Sequence, residues 1–185
     1  MLAAVPMARG RLARVSIRGY DAPMYTDALS FLEDERDAWR PYEALSQLSD
    51  EELERPVAAA HGWSGRDLMG HLLTWQLLSL DVARELAVGD RSPSHERADA
   101  DWAARGADVV NAEAEAEWRA RPIDEVREEF ARVAGELRGF LTVVPETRWL
   151  KNADQQRFFF EETTEHYEDH EADLAAILAA VSGGK

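Results

Sequence analysis

Two histidines near the end of the chain, His166 and His170, are four residues apart in a segment with a helical pattern. At this spacing both imidazoles project from one face of a helix. They continue an apolar stripe in positions where leucine would ordinarily lie, so both side chains are predicted to point inward. An earlier histidine, His71, takes the same inward position between Leu68 and Trp75. We therefore predict that three imidazoles face the interior.

Buried imidazoles need partners, because an unpaired polar group in a protein interior is costly. One divalent cation satisfies all three, and three protein ligands leave a fourth coordination position for water or substrate, as in catalytic zinc sites. Imidazole suits several transition metals, among which we expect Zn or Ni. The sequence thus predicts one divalent metal ion held by His71, His166 and His170. The other two histidines, His61 and His95, fall in predicted loops and are interpreted as incidental.

The segment around the histidine pair is strongly acidic, with seven acids and no base between residues 161 and 173. One interpretation is a field that attracts a cation. The other is a solvated helix face, which explains most of these acids better. Glu162 differs from the other acids, because it precedes His166 by four residues and can lie on the same helix face. The aromatic candidates for lining a pocket are Trp63, Trp75 and Tyr167, with a plain core role the stronger expectation for both tryptophans.

The composition of the 185-residue chain narrows the chemistry open to these side chains. The chain has no cysteine, so it can supply no disulfide, thiolate ligand or cysteine nucleophile. Its formal net charge of −15 argues against a nucleic-acid partner and favours a cationic or neutral small-molecule co-substrate. No apolar run of about 18 residues is present, so we expect no membrane association and a cytoplasmic location.

The first 21 residues are predicted to be an extension that precedes the domain at residues 22–182. They contain four arginines and no acid before Asp21. This composition resembles a transit peptide, but a clear apolar core and cleavage signal are missing. The interpretation we favour is a disordered or loosely packed N-terminal extension.

The rest of the chain is predicted to be helical, because apolar residues recur at helical spacing and no alternating segment indicates a strand. Ser64 with Asp67 is typical of a helix start, and Gly89 of a helix end. The polar segment 89–100 contains Pro93 and is predicted to be a loop. The predicted helices cover about 22–48 with a break at Pro41, a short turn from Ser49, 64–89, 101–119, 122–144 and 154–181. The fold class that follows is all-α, a four-helix bundle with one extra short helix.

The segment Gly62–Trp75, GWSGRDLMGHLLTW, resembles the GWS-x-x-D-L-x-x-H-L-x-x-W signature of the DinB-like superfamily. The motif LSDEEL at 48–53 and the late His-x-x-x-His pair occur in the expected order, so the resemblance spans residues 25–181. It implies a bundle of four helices whose metal triad matches the three histidines above. It also implies an S-transferase or a maleylpyruvate isomerase that uses a low-molecular-weight thiol such as mycothiol, and it favours a homodimer.

Two other functions stay open. The run Phe158–Phe160, together with Glu162, resembles the ClbS/DfsB-like branch of the superfamily. That resemblance implies a metal-free protein that binds or hydrolyses a small reactive molecule, with the histidines as hydrogen-bonding or acid–base groups. The remaining alternative is a scaffold without catalytic activity that dimerises through exposed helix faces.

Overall fold

The computed structural model describes residues 25–183, and this part of the chain is helical without any strand. The all-α class and the DinB-like bundle predicted from the sequence are therefore confirmed. The predicted extension 1–21 lies outside the described residues. None of the helices within 25–183 combines the length and apolar character that a membrane-spanning segment requires.

The helices follow one another with short connections. In chain order they are α1 (Ala28–Trp39) continued by a 3₁₀ segment (Arg40–Gln47), α2 (Asp50–Leu53), a 3₁₀ turn (Ala58–Ala60), α3 (Gly65–Val88), α4 (Pro93–Arg105), α5 (Ala107–Ala120), α6 (Ile123–Leu141), α7 (Ala153–Phe160), a π-helical turn (Glu161–Glu165), α8 (His166–Asp169) and α9 (Glu171–Ser182). The four long elements of the bundle are α1 with its 3₁₀ continuation, α3, α6 and the α7–α9 segment. Helix α3 packs against α4, α5, α6 and α9 and is the central element.

The sequence predicts both ends of α3, but only the N-terminal end has the predicted geometry. The Ser64 hydroxyl accepts from the Asp67 backbone N–H, and the Asp67 carboxylate accepts from the Ser64 N–H at 2.9 Å, which completes a capping box. Burial raises the pKa of Asp67, but hydrogen bonds from Arg119 and Ser64 outweigh it and leave this pKa below its usual value. At the other end Gly89 has an extended backbone rather than the left-handed one expected of a glycine cap.

The predicted loop at 89–100 is wrong, because α4 begins at Pro93. Ser92 caps this helix by accepting from the His95 N–H, and the Glu85 carboxylate accepts from the Ser94 N–H at 3.0 Å. Polar contacts therefore hold a helix in which no residue is buried, which is why hydrophobic periodicity did not reveal it. The predicted third helix in turn is divided at Gly106, whose φ of 81° separates α4 from α5.

A chain of buried polar groups crosses the core. Glu35 of α1 accepts hydrogen bonds from Arg138 of α6 at 2.9 Å and from the Tyr167 hydroxyl at 3.2 Å. The same hydroxyl accepts from the Gln76 side chain of α3 at 2.9 Å. Burial raises the pKa of Glu35 against the opposing effect of Arg138, and burial also raises that of Tyr167. These four side chains connect α1, α3, α6 and α8.

Helices α3 and α5 approach each other closely at Gly70, directly before the predicted ligand His71. A Cβ at Gly70 would lie 2.6 Å from the Cβ of Trp118 and 2.8 Å from its Cγ. These atoms are at the root of the tryptophan side chain, which is 5% exposed and hydrogen-bonds through Nε1 to Thr74. The ring has therefore little freedom to move aside.

We expect Gly70→Ala to lower the free energy of unfolding by about 1–3 kcal/mol, the usual cost of overpacking a core. This loss exceeds the gain in helix propensity, which is at most about 1 kcal/mol. The matched control is Gly135→Ala in α6, where an added Cβ meets no atom within 4 Å. The control should raise the stability, as measured by urea unfolding. An unchanged or higher midpoint for Gly70→Ala contradicts the close approach of the two helices.

Candidate metal centre

The three predicted histidines come together between α3 and the last helical segment. His71 lies on α3, His166 opens α8, and His170 lies between α8 and α9. The Nε2 atoms of His71 and His166 are 2.9 Å apart, and one ring nitrogen from each histidine lies within 4.8 Å of the other two. Their juxtaposition is an observation, whereas their role as metal ligands stays a prediction.

The donor set and spacing fit a divalent cation. For zinc bound to imidazoles at roughly 2.0–2.1 Å, tetrahedral angles separate the nitrogens by about 3.3 Å. The 2.9 Å between Nε2 of His71 and Nε2 of His166 is close to that value, and the ligand atoms of all three histidines lie within 4.8 Å of one another. His166 is buried, while His71 and His170 are half-buried, and the cluster is therefore reachable from one side. Three imidazole nitrogens with an accessible side match a site that keeps a coordination position open.

Asp173 anchors the third imidazole. Its Oδ2 lies 2.9 Å from Nδ1 of His170, so this ring nitrogen is the protonated one and Nε2 is left for another partner. Asp173 is 8% exposed, so the hydrogen bond is protected from water. Carboxylate–histidine pairs of this kind orient metal ligands in many proteins. Asp173 is one of the seven acids of segment 161–173, and its position three residues after His170 is the sequence signal for this contact.

Two of the three predicted aromatic residues border the cluster. The Trp63 ring stacks on His170 with centroids 5.5 Å apart and 27° between the planes. Trp75 lies edge-on to His166 at 6.3 Å and also contacts Trp102 of α4 at 5.3 Å. The prediction for Tyr167 is wrong, because this residue turns into the core, where its hydroxyl meets Glu35 and Gln76.

The acidic residues of segment 161–173 differ in how far they are buried. Glu168, Asp169 and Glu171 are exposed, which confirms the interpretation of a solvated face for them. Glu162 is buried but does not belong to the group that can hold a metal ion. Among the other histidines, His95 lies in the first turn of α4 and packs on Phe158 at 4.1 Å, whereas His61 lies beside Asp173.

A comparison with known families agrees with this geometry. The family model of the mycothiol maleylpyruvate isomerase N-terminal domain matches residues 32–180. The chain belongs to this family. The match confirms the DinB-like resemblance and includes all three histidines of the cluster. Searches of curated proteins and of solved structures gave no significant match. The mycothiol maleylpyruvate isomerase N-terminal domain family thus supplies a thiol-related context for the cluster.

We expect Asp173→Ala to weaken Zn²⁺ binding by about 10–100-fold, since the His170 ring loses the partner that fixes its orientation. The measurement is competition with a chelator of known affinity. Asp169→Ala is the matched control, because it removes an exposed acid from the same segment and should change the affinity by less than about twofold. Equal affinities for Asp173→Ala and the wild type contradict the orienting role.

Proposed function

We propose that this protein is a divalent-metal enzyme that uses a low-molecular-weight thiol for S-transfer or isomerisation. The observation that carries the proposal is the cluster of His71, His166 and His170, with ligand atoms within 4.8 Å of one another. The membership in the mycothiol maleylpyruvate isomerase N-terminal domain family supports the thiol part of the proposal. The acidic charge supports a small-molecule substrate, and we propose a cytoplasmic homodimer as the working form.

The three histidines would hold the ion, with Zn or Ni as the proposed metal. A bound divalent cation lowers the pKa of a coordinated thiol and so supplies a thiolate at neutral pH. Since the chain has no cysteine, that thiol must come from a co-substrate. This requirement agrees with a centre that is half-exposed on the His71 and His170 side.

The surrounding residues have separate tasks in this proposal. Asp173 holds Nδ1 of the His170 ring and leaves Nε2 as the nitrogen that would bind the ion. Trp63 covers one face of the same ring and restricts its rotation. Trp75 places apolar surface next to His166, with Trp102 packed against Trp75, and so keeps water away and offers a wall to an unsaturated substrate.

A second candidate function is supported by the 2.9 Å separation between the Nε2 atoms of His71 and His166. At that distance one imidazole can donate a hydrogen bond to the other. Together with the Asp173–His170 pair, this arrangement suits acid–base catalysis without a metal, as the ClbS/DfsB-like alternative requires. Metal analysis separates the two candidates.

Protein purified without a polyhistidine tag should contain about one divalent ion per chain, as measured by inductively coupled plasma mass spectrometry. His166→Ala removes a buried ligand and should lose this ion, whereas His95→Ala should keep it, because His95 packs on Phe158 instead. Wild-type protein that carries no ion, even after reconstitution with Zn²⁺ or Ni²⁺, overturns the metal proposal and favours the metal-free candidate.

Turnover of an electrophile such as monochlorobimane should depend on one of four thiols: mycothiol, bacillithiol, glutathione or coenzyme A. At pH 7 a free thiol with a pKa of about 8.5 is only about 3% ionised. Loss of the centre in His166→Ala should therefore lower the rate at pH 7 by up to about 30-fold. A metal-loaded wild type without any thiol-dependent rate contradicts the thiol part of the proposal and leaves the metal centre standing.

A further inference from the structure

A tight turn next to the centre has an unusual backbone at His61. Its φ is +56°, which makes it the one residue other than glycine with a positive φ within 25–183. Gly62 follows with a φ of +88°, and the Trp63 N–H donates to the Ala60 carbonyl at 2.8 Å. Two successive positive φ angles across such a hydrogen bond define a type I′ turn, which favours asparagine or glycine at the position of His61. Histidine is therefore not the residue that the backbone itself prefers there.

The two side chains of this turn converge on the same imidazole. Nε2 of His61 lies 3.8 Å from Oδ1 of Asp173, beyond hydrogen-bond distance but close enough for an electrostatic contact, while Oδ2 of Asp173 lies 2.9 Å from Nδ1 of His170. The Asp173 carboxylate thus lies between two imidazoles, one oxygen toward each. The Trp63 ring, two residues after His61, stacks on the other side of His170. One turn therefore reaches His170 both through Asp173 and by direct stacking.

The contact between His61 and Asp173 contributes little to folding, because the His61 side chain is 60% exposed and exposed ion pairs are weak. A buried carboxylate with a partner on only one oxygen can still rotate about its last bond. A second partner restricts that rotation, and the first hydrogen bond is held in one direction. The expected effect of His61 is therefore on the orientation of Asp173 and His170 rather than on stability.

We propose that His61 is a positioning residue, which holds Asp173 against His170 and so sets the geometry of the third metal ligand. This inference rests on the proposed metal centre. It assigns a task to a histidine that the sequence pattern gave no reason to select. It also explains why a left-handed backbone position is occupied by a ring with two nitrogens rather than by glycine.

The test uses variants of residue 61 that separate the length of the side chain from its preference for a left-handed backbone. Asparagine and glycine suit the left-handed backbone but do not extend to Asp173, so His61→Asn and His61→Gly should unfold at a higher temperature than the wild type. Both should nevertheless bind Zn²⁺ about fivefold more weakly in chelator competition with the full-length chain, the upper limit for an exposed charge contact. His61→Gln reaches about as far as histidine and carries an N–H donor. It should keep an affinity within about twofold of the wild type without any gain in stability.

The outcomes separate the inference from the proposed function. A positioning role is supported if His61→Asn and His61→Gly lose Zn²⁺ affinity while their unfolding temperature rises. A purely structural contact would change the affinity and the unfolding temperature in the same direction. Unchanged affinity in these two variants overturns the inference and leaves the metal centre in place. Loss of affinity in His61→Gln equal to that in His61→Asn also overturns it. A wild type that binds no Zn²⁺ overturns the proposed function and, with it, this inference.

Discussion

The contact between Glu35 and Tyr167 fixes the part of the bundle on which the histidine cluster depends. Arg138 holds the other oxygen of this buried carboxylate, and Gln76 donates to the Tyr167 hydroxyl. A buried carboxylate that loses a hydrogen-bond partner keeps its desolvation cost, so the helices favour the arrangement in which all three contacts are made. Tyr167 directly follows His166, and neighbouring helical residues point about 100° apart. When Tyr167 is locked into the core, His166 is therefore turned toward α3.

Sequence patterns predicted the long helices because the residues that cap and bury these helices in the structure are the ones that the patterns had indicated. Ser64 and Asp67 form the expected capping box, and the apolar stripe of α6 is buried from Val126 to Leu141. The same reasoning missed α4, which buries no residue and is held by Glu85. Its start was still encoded locally, since serine at position 92 before a proline is a helix signal. Periodicity detects helices that contribute to a core, and α4 does not.

Of the candidate site, only the three histidines could be predicted from the sequence. The spacing of His166 and His170 places both on one helix face whatever the tertiary structure. The cluster then required only that this face lie against His71. The partners of these imidazoles depend on side-chain directions across elements, which spacing does not determine. Asp173 lies three residues after His170, but Asp169 lies three residues after His166 and is exposed, so this spacing alone does not distinguish the two acids. His61 could not be selected at all, because a left-handed backbone at a residue other than glycine leaves no pattern in a single sequence.

The π-helical turn at Glu161–Glu165 sets the register of everything that follows it. A π-turn contains one residue more than an α-turn, and each α-helical residue rotates the chain by about 100°. In an uninterrupted α-helix, Glu165 rather than His166 would occupy the direction that now faces His71. Deletion of one codon in this turn would restore an α-turn and leave His166 facing His71, whereas an α-turn of unchanged chain length would bring Glu165 there. The histidine cluster is therefore inherited through helix register as well as through the residues themselves.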